Sequence, residues 1–323
     1  MVPRLLPDEH LPGYVGRIRW LSGTRHIGLM LQSVHARQCI DTVPPSEMEL
    51  VAKLNELSLF ELASKHTYWP FLHAKPPYSV QEQVEDSARN KTEFCLLRNS
   101  RRGAWLCAHC VEEDLAFWHL SYWRRSHHIP GAHWCLKHQE PLLEVQRTGA
   151  FDRAPHHWLK TAIADHGRAR LYQSNPIIAR YIEAFDLITE RSGYLDRSAS
   201  CKGLRRVAGG SEAHFHRTKA DMQLTSIAKL EIPDDWLRHT FVGGHDDPNG
   251  ESYNMLSLSR GANGFGFRPT ALVLASAMLH TSSEAAAIFL IEFLVNGPNP
   301  LPPRKGVRRR GWSQHASTRP GLV

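Results

Sequence analysis

The sequence contains no long hydrophobic run. Its most apolar stretch, residues 285–295, is short and includes Glu292, whereas a membrane-spanning helix takes about 20 consecutive apolar residues. Residues 1–9 also lack the apolar core that a secretory signal peptide needs. We therefore expect a protein with no membrane partner that works in the reducing cytoplasm.

Sequence motifs of several enzyme classes are missing as well. There is no Gly-x4-Gly-Lys-Ser/Thr loop for nucleotide hydrolysis and no Gly-x-Ser-x-Gly elbow for a serine hydrolase. Acidic residues are spread along the chain without the spacing of a metal-binding carboxylate cluster. Asp234 and Asp235 are better explained as a helix start, because carboxylates stabilise the positive end of the helix dipole. The sequence therefore predicts that the protein is not an enzyme.

Cysteine is scarce, with six residues in a chain of 323. A disulfide framework of the kind found in small secreted proteins would need closely spaced cysteines in an oxidising compartment. Cys39, Cys95 and Cys201 instead lie far apart, and we interpret them as small core residues or bystanders.

The other three cysteines and one histidine form two short pairs, Cys107-x2-Cys110 and Cys135-x2-His138. Each pair places two soft donors on one tight turn, and four such donors can close a tetrahedron around zinc. The pattern predicts one structural Zn²⁺ ion held by these four residues, with no open position for a substrate water. His109 or His133 remains an alternative for one of the ligands.

Positive charge and aromatic residues are concentrated around these pairs. The chain has 39 lysines and arginines against 32 acidic residues, a net charge of +7, which favours a polyanionic partner such as DNA. Solvated surface positions and internal salt bridges are the alternative explanation for such arginines. The residues that we predict to contact nucleic acid or a protein partner are Arg101, Arg102, Trp123, Arg124, Arg125, Arg205 and Arg206.

A His-dependent metal nuclease is a further alternative, because His127 and His128 lie between the two pairs. Such a site needs an open metal position and a second His or Asn at a suitable spacing. No residue after His128 has that spacing, so a binding role is favoured over a catalytic one.

Helical spacing of apolar residues recurs along most of the chain and predicts a mainly α fold. We divide it into a short-helix, helix-turn-helix-like N-terminal domain (1–80), a linker (81–100), a central structural zinc-finger module (101–146), a helical C-terminal domain (154–296) and a flexible basic tail (297–323). For the N-terminal residues, a plain helical bundle explains the pattern equally well.

Several helices can be placed from local signals. Leu11, Tyr14 and Ile18 have the spacing of one helix face, and Ser58 with Glu61 forms a capping box. Residues 271–294 predict two helices that are broken around 281–283, with Ser283 as the cap of the second. Further helices are predicted around 27–34, after Ser46 and over 177–187.

Residues 122–131, Tyr-Trp-Arg-Arg-Ser-His-His-Ile-Pro-Gly, lead into the Cys135-x2-His138 pair and then Pro-Leu-Leu at 141–143. This stretch resembles the TniQ/TnsD family of target selectors in transposition. Three further segments support the resemblance: Leu-Pro-Asp-Glu at 6–9, His-Thr-Tyr-Trp-Pro-Phe at 66–71 and Ile-Pro-Asp-Asp-Trp-Leu at 232–237. The likeness covers residues 5–145 and is looser beyond them.

The resemblance implies a non-catalytic adaptor with helix-turn-helix elements and a zinc finger. Members of the family mark an insertion site and recruit an AAA+ ATPase regulator, which brings in the transposase. Some read DNA directly, whereas others sit as a dimer on a CRISPR RNA-guided effector complex. For this chain the resemblance implies those partners and leaves a homodimer open; an autonomous sequence-specific zinc-dependent DNA-binding regulator is the alternative function.

The chain departs from the family pattern at three places near the pairs. Ala108 and Leu136 stand where the family often has Pro, and Gln139 stands where it often has Gly. These changes affect the stiffness of the turns more than the ligands. The chain is also shorter than the long selectors that read DNA themselves, which favours the RNA-guided type.

Overall fold

Eleven helices and four short strands make up the part of the chain that the computed structural model describes, namely residues 3–23, 47–68, 71–72, 101, 103–191, 194–208, 219–241 and 269–295. The prediction of a mainly α fold is confirmed. The helices are α1 Leu11–Ser22, α2 Glu47–Leu54, α3 Leu59–His66, α4 Ala108–Trp118, α5 His166–Ser174, α6 Pro176–Thr189, α7 Arg197–Val207, α8 Lys219–Glu231, α9 Asp234–Phe241, α10 Pro269–Leu279 and α11 Ser283–Ile291. The strands are β1 Ala104–Leu106, β2 Leu143–Val145, β3 Tyr194–Leu195 and β4 Leu294–Val295.

Two of the N-terminal helices have clear start or stop signals, and the start of α3 was predicted from the sequence. At the start of α3, Ser58 accepts a hydrogen bond from the amide of Glu61, and the Glu61 carboxylate accepts one from the amide of Ser58, which confirms the capping box. Helix α1 ends at Gly23 in the left-handed conformation that glycine adopts without strain. The apolar faces of α1, α2 and α3 pack together in one buried cluster. The helix predicted around 27–34 and the cap at Ser46 lie outside the described residues.

The predicted zinc-finger module is built around a two-stranded antiparallel ribbon. In it β1 pairs with β2, with Trp105 opposite Glu144. Helix α4 and a 3₁₀ turn at Arg125–His128 lie between the two strands in sequence. Trp123 is 2% exposed and packs in a small core with residues of both strands. The module therefore has an apolar centre of its own beside the four metal-binding candidates.

The C-terminal helices surround α6, which packs against both α10 and α11. The residues of α6 that were predicted to form an apolar stripe face inward, among them Tyr181 and Phe185, which have no exposed surface. Cys201 lies in the same core, as predicted, and Cys39 and Cys95 lie outside the described residues. The prediction that Ser283 caps the last helix is wrong: the hydroxyl of Ser282 accepts the hydrogen bond from the amide of Ala285. Which of the two adjacent serines becomes the cap depends on the backbone conformation at the end of the preceding turn, and the sequence does not show it.

One hydrophobic core runs from the metal-binding residues into the C-terminal helices. The indole of Trp236 in α9 illustrates this continuity, because its Nε1 donates a hydrogen bond of 2.9 Å to the carbonyl oxygen of Gly131. The domain boundaries remain a prediction, and both the linker at 81–100 and the tail at 297–323 lie outside the described residues. Among the described helices, none combines the length and apolar character that a membrane crossing requires.

Helix α1 packs closely on the backbone of the 3₁₀ turn at Ala150–Asp152, and Gly16 lies at this contact. A Cβ atom at this position would lie 1.8 Å from the backbone oxygen of Phe151, which is a severe overlap with a part of the chain that cannot rotate away. We predict that Gly16→Ala lowers the free energy of unfolding by roughly 1–3 kcal/mol or more, because α1 must move off the module. Urea unfolding followed by circular dichroism measures the change.

Gly167→Ala is the matched control, since Gly167 is also helical and its nearest neighbour would be 3.7 Å from the new Cβ. This substitution should leave the protein as stable as before or raise stability by about 0.5–1 kcal/mol. Equal unfolding midpoints for the two variants would contradict the close packing of α1 on the module.

Candidate metal centre

Cys107 and Cys110 are positioned by the start of α4. Cys107 has an extended backbone and occupies the N-cap of this helix, and Cys110 lies in its first turn. Both side chains are buried, with exposures of 0% and 2%. The positive end of a helix dipole stabilises thiolates, which are the form in which cysteine binds metals.

Cys135 and His138 lie on a tight turn that two backbone hydrogen bonds close. The amide of Gln139 donates to the carbonyl oxygen of Cys135, and the amide of Cys135 donates to the carbonyl oxygen of Glu140, both at 2.8 Å. Gln139 has a φ of 57°, in the left-handed region where glycine is favoured. Its side chain accepts a 2.8 Å hydrogen bond from Gln173 of α5. The turn is thus fixed from both its backbone and a neighbouring helix.

The four predicted ligands converge on one point, and their donor atoms all lie within 4.8 Å of one another. The Nδ1 atom of His138 is 3.5 Å from Cys107 Sγ, 3.3 Å from Cys110 Sγ and 3.7 Å from Cys135 Sγ. Cys110 Sγ and Cys135 Sγ are 3.7 Å apart. Tetrahedral zinc, with bonds of about 2.3 Å to sulfur and about 2.0 Å to nitrogen, places its donors roughly 3.5–3.8 Å apart. The buried cluster could therefore hold one metal ion.

The electrostatics of the cluster also favour a cation. Hydrogen bonds to Cys107 and Cys135, together with burial, raise the pKa of Cys110 well above its usual value. The same sulfur network lowers the pKa of Cys135 to about 2. Three thiolates cannot share so small a space without a positive charge, because their mutual repulsion keeps at least one proton bound. A divalent cation bound to the sulfurs would remove this conflict.

Glu113 supports the histidine ligand and was missed by the sequence reasoning. Its Oε1 is 3.1 Å from His138 Nε2, so the imidazole can donate one proton to the carboxylate while Nδ1 faces the sulfurs. A carboxylate in this position fixes the tautomer and orientation of a metal-binding histidine. Lys137 donates to the other carboxylate oxygen. The signal was available in the sequence, since Glu113 follows Cys110 by three residues and three-residue spacing shares a helix face.

His127 and His128 have internal positions beside the cluster, with exposures of 4% and 0%. The Nδ1 atom of His128 donates to the carbonyl oxygen of Arg124 at 2.9 Å, and its Nε2 accepts from the amide of Trp105 at 3.2 Å. The His128 ring also stacks on His10, with ring centres 4.3 Å apart. Burial lowers the pKa of His127 to about 4 and that of His128 well below its usual value. These contacts give His128 a structural role.

Several of the predicted partner-binding residues make internal contacts. Arg125 lies over the ring of Tyr68, and donates to Asp8 Oδ1 at 3.3 Å and to the carbonyl oxygen of Ser64 at 2.8 Å. Arg124 forms an ion pair with the buried Asp114. Trp123 donates its indole proton to a backbone carbonyl. A role of these residues in nucleic-acid or partner binding stays a prediction.

The remaining predicted contact residues are spread over the molecule. Arg101 lies 3.6 Å over the ring of Trp105 and donates to the carbonyl oxygens of His127 and Ala132. Arg205 and Arg206 are in the last turn of α7, and Arg102 lies outside the described residues.

The metal-binding residues can be tested by elemental analysis of the purified chain. We predict about one metal ion per chain, and almost none in Cys107→Ser or Cys135→Ser, because each substitution removes a thiolate that closes the site. Structural zinc contributes on the order of 10 kcal/mol to folding in small zinc-binding units, so both variants should also unfold at lower urea concentrations. Cys201→Ala, which changes a buried cysteine away from the cluster, should keep its metal. Metal loss in that control as well would point to general misfolding.

Glu113→Gln tests the support of the histidine ligand. The amide keeps the size of the side chain but removes its charge, and we expect the metal affinity to fall by roughly 10- to 100-fold, as for other groups behind a metal ligand. Competition with a chromogenic chelator measures the affinity. Glu112→Gln makes the same change one residue earlier, where the side chain is 71% exposed and faces His109, and should leave the affinity unchanged. Equal affinities for the two variants would rule out the role of Glu113.

A comparison with known families places the cluster in context. The family model described as TniQ matches residues 1–142, a stretch that contains all four metal-binding candidates. No curated protein matches the chain. Residues 143–323 lie outside the family match, so the match applies only to the N-terminal helices and the metal-binding module. The match identifies residues 1–142 as a TniQ domain, which supports membership of the TniQ family and implies a transposition-associated protein.

Proposed function

We propose that this protein is a non-catalytic target-selection adaptor of a transposition system. In this role it links a target-recognition complex, either a DNA site or a CRISPR RNA-guided effector, to an AAA+ regulator and through it to the transposase. The metal at the Cys₃His cluster is zinc, since three thiolates and one imidazole in tetrahedral arrangement are the ligands that structural zinc prefers. The site is closed by protein ligands and serves to fix a shape.

The proposal is carried by the position of the cluster, which lies between the N-terminal helices and the C-terminal helices. On one side, Arg125 and Ser126 bind both carboxylate oxygens of Asp8, near the N-terminus. On the other side, Trp236 of α9 bonds to Gly131. Residues 125–131 follow α4, whose first turn holds two of the metal ligands. A metal at this place would fix the N-terminal helices and the C-terminal helices relative to each other, which a bridging protein requires.

An adaptor also needs an exposed surface for its protein partner. Phe117 and Trp118, at the end of α4, are 74% and 39% exposed, and their rings form an edge-to-face pair with centres 4.7 Å apart. Large exposed aromatic side chains are costly in water and are enriched at the centres of protein interfaces. Because α4 also carries metal ligands, this aromatic pair has a fixed direction. We assign it to the docking of the AAA+ regulator.

Co-purification with the AAA+ ATPase of the same transposition system tests the proposal. We expect the wild-type chain to retain the ATPase, and Phe117→Ala with Trp118→Ala to reduce the retained amount about tenfold or more, because interface aromatics each contribute roughly 2 kcal/mol or more. The double variant should keep one zinc ion and an unchanged unfolding curve, since both side chains are exposed.

Leu171→Ala with Leu230→Ala serves as the control for exposed apolar surface in general, because these residues are 54% and 84% exposed on other helices. This pair should bind the ATPase like the wild type. If the wild-type chain does not retain the ATPase, yet binds one short DNA duplex by itself with high specificity, the protein is an autonomous DNA-binding regulator and the adaptor proposal is wrong.

A further inference from the structure

The chain beyond the TniQ match continues through β2, and residues 146–160 then form a compact loop on the surface of the module, called the excursion here. It leaves β2 after Val145 and passes through two 3₁₀ turns, at Ala150–Asp152 and Pro155–Trp158. The indole of Trp158 donates to the carbonyl oxygen of Ala150 at 3.0 Å, and the indole of Trp123 donates to that of Arg153 at 2.9 Å. These two buried tryptophans fix the backbone of the excursion against the module.

Three cations of this excursion have exposed side chains, namely Arg147, Arg153 and Lys160. The guanidinium of Arg147 also lies over the ring of Trp158, 5.5 Å from the ring centre. Among the residues that the structure describes, no carboxylate forms an ion pair with these three cations. The acidic residue within the excursion, Asp152, lies 3.5 Å from Arg19 of α1, so part of its charge is already balanced. The excursion therefore presents an excess of positive charge on a rigid backbone.

An exposed tryptophan of α1 lies beside the second 3₁₀ turn of the excursion. Trp20, near the end of α1, is 61% exposed although it has the largest apolar surface of any side chain. Its ring centre is 6.3 Å from that of His157, in the second 3₁₀ turn of the excursion. Helix α1 packs directly on the first 3₁₀ turn. The indole therefore lies against the excursion that carries the three cations.

We infer that this surface, formed by Trp20, Arg147, Arg153, His157 and Lys160 and termed here the basic aromatic strip, binds single-stranded nucleic acid. The three cations neutralise successive phosphates, and an unpaired base stacks on the indole of Trp20. Rigid cations beside an exposed aromatic face are the combination that single-strand binding uses, because every base has a face to stack and every nucleotide a phosphate.

The exposed indole favours single-stranded nucleic acid over an acidic peptide or a closed duplex. An acidic peptide or a closed duplex would use the cations alone, since the bases of a duplex are stacked on one another and offer no free face. The inference rests on the proposed function only in that a target selector works close to nucleic acid. Its test uses a bare oligonucleotide and needs no ATPase, so its failure would leave the adaptor proposal standing.

Fluorescence anisotropy with labelled oligo(dT) and oligo(U) of about 16 nucleotides, the upper range of single-domain site sizes, measures the binding. In the triple variant that combines Arg147→Gln, Arg153→Gln and Lys160→Gln, we expect at least a tenfold loss of affinity at moderate salt. The slope of log affinity against log salt should fall by about 2, because each single-strand phosphate contact contributes roughly 0.7. Trp20→Ala should lose roughly 5- to 150-fold in affinity with an unchanged slope, as expected for a lost stacking contact.

The matched control is a second triple variant, which combines Lys53→Gln, Arg191→Gln and Lys202→Gln. It removes three exposed cations from other parts of the described surface and lowers the net charge equally. This control should bind within about threefold of the wild type. Metal content and circular dichroism check that each variant is folded. Strip-dependent binding of either oligonucleotide supports the inference and identifies the preferred sugar.

The inference is wrong if the control weakens binding as much as the strip variant. It is also wrong if neither oligonucleotide binds, or if a duplex of equal length binds more tightly and Trp20→Ala has no effect.

Discussion

Convergence of three sulfur atoms and one imidazole nitrogen on a single buried point is the constraint on which the middle of this chain depends. The two turns that carry these donors are short, and each is held by backbone hydrogen bonds and by neighbouring helices. Sulfur atoms so close together repel one another as thiolates, so a bound cation would stabilise the arrangement. The local geometry and the chemistry of the donors therefore favour the same ligand.

Around this point, polar groups join the N-terminal helices to the module through hydrogen bonds and ring contacts. Arg125 bonds to Asp8 and to the backbone of α3, and the imidazoles of His10 and His128 stack in the same interface. Buried charges and imidazoles are costly unless they are paired and hydrogen-bonded. Such contacts specify one docking geometry more strictly than apolar packing does, since a shift of a few tenths of an ångström would break them.

The sequence was informative where a structure is encoded locally. The spacing of Cys107, Cys110, Cys135 and His138 identified the cluster, because two residues between donors already define a turn, and the capping box at Ser58 located α3. The internal contacts of Arg124 and Arg125 could not be predicted, because Asp8 is 117 residues away from Arg125 and the pairing depends on the complete fold. The exposure of Trp20 was hidden for the same reason, because it depends on which distant parts of the chain cover the end of α1.

Gln139 combines an unfavourable backbone with a favourable side chain. Its left-handed φ costs a residue with a Cβ atom on the order of 1 kcal/mol, which glycine would avoid. Its amide group, however, bonds to Gln173 of α5 and to the carbonyl oxygen of Leu136, and glycine has no group that could do this. The turn is therefore more strained than with glycine, but the Gln139 side chain connects the metal site to the C-terminal helices by a hydrogen bond. A relative with glycine here would have a more relaxed turn and would lack this direct bond between the metal site and α5.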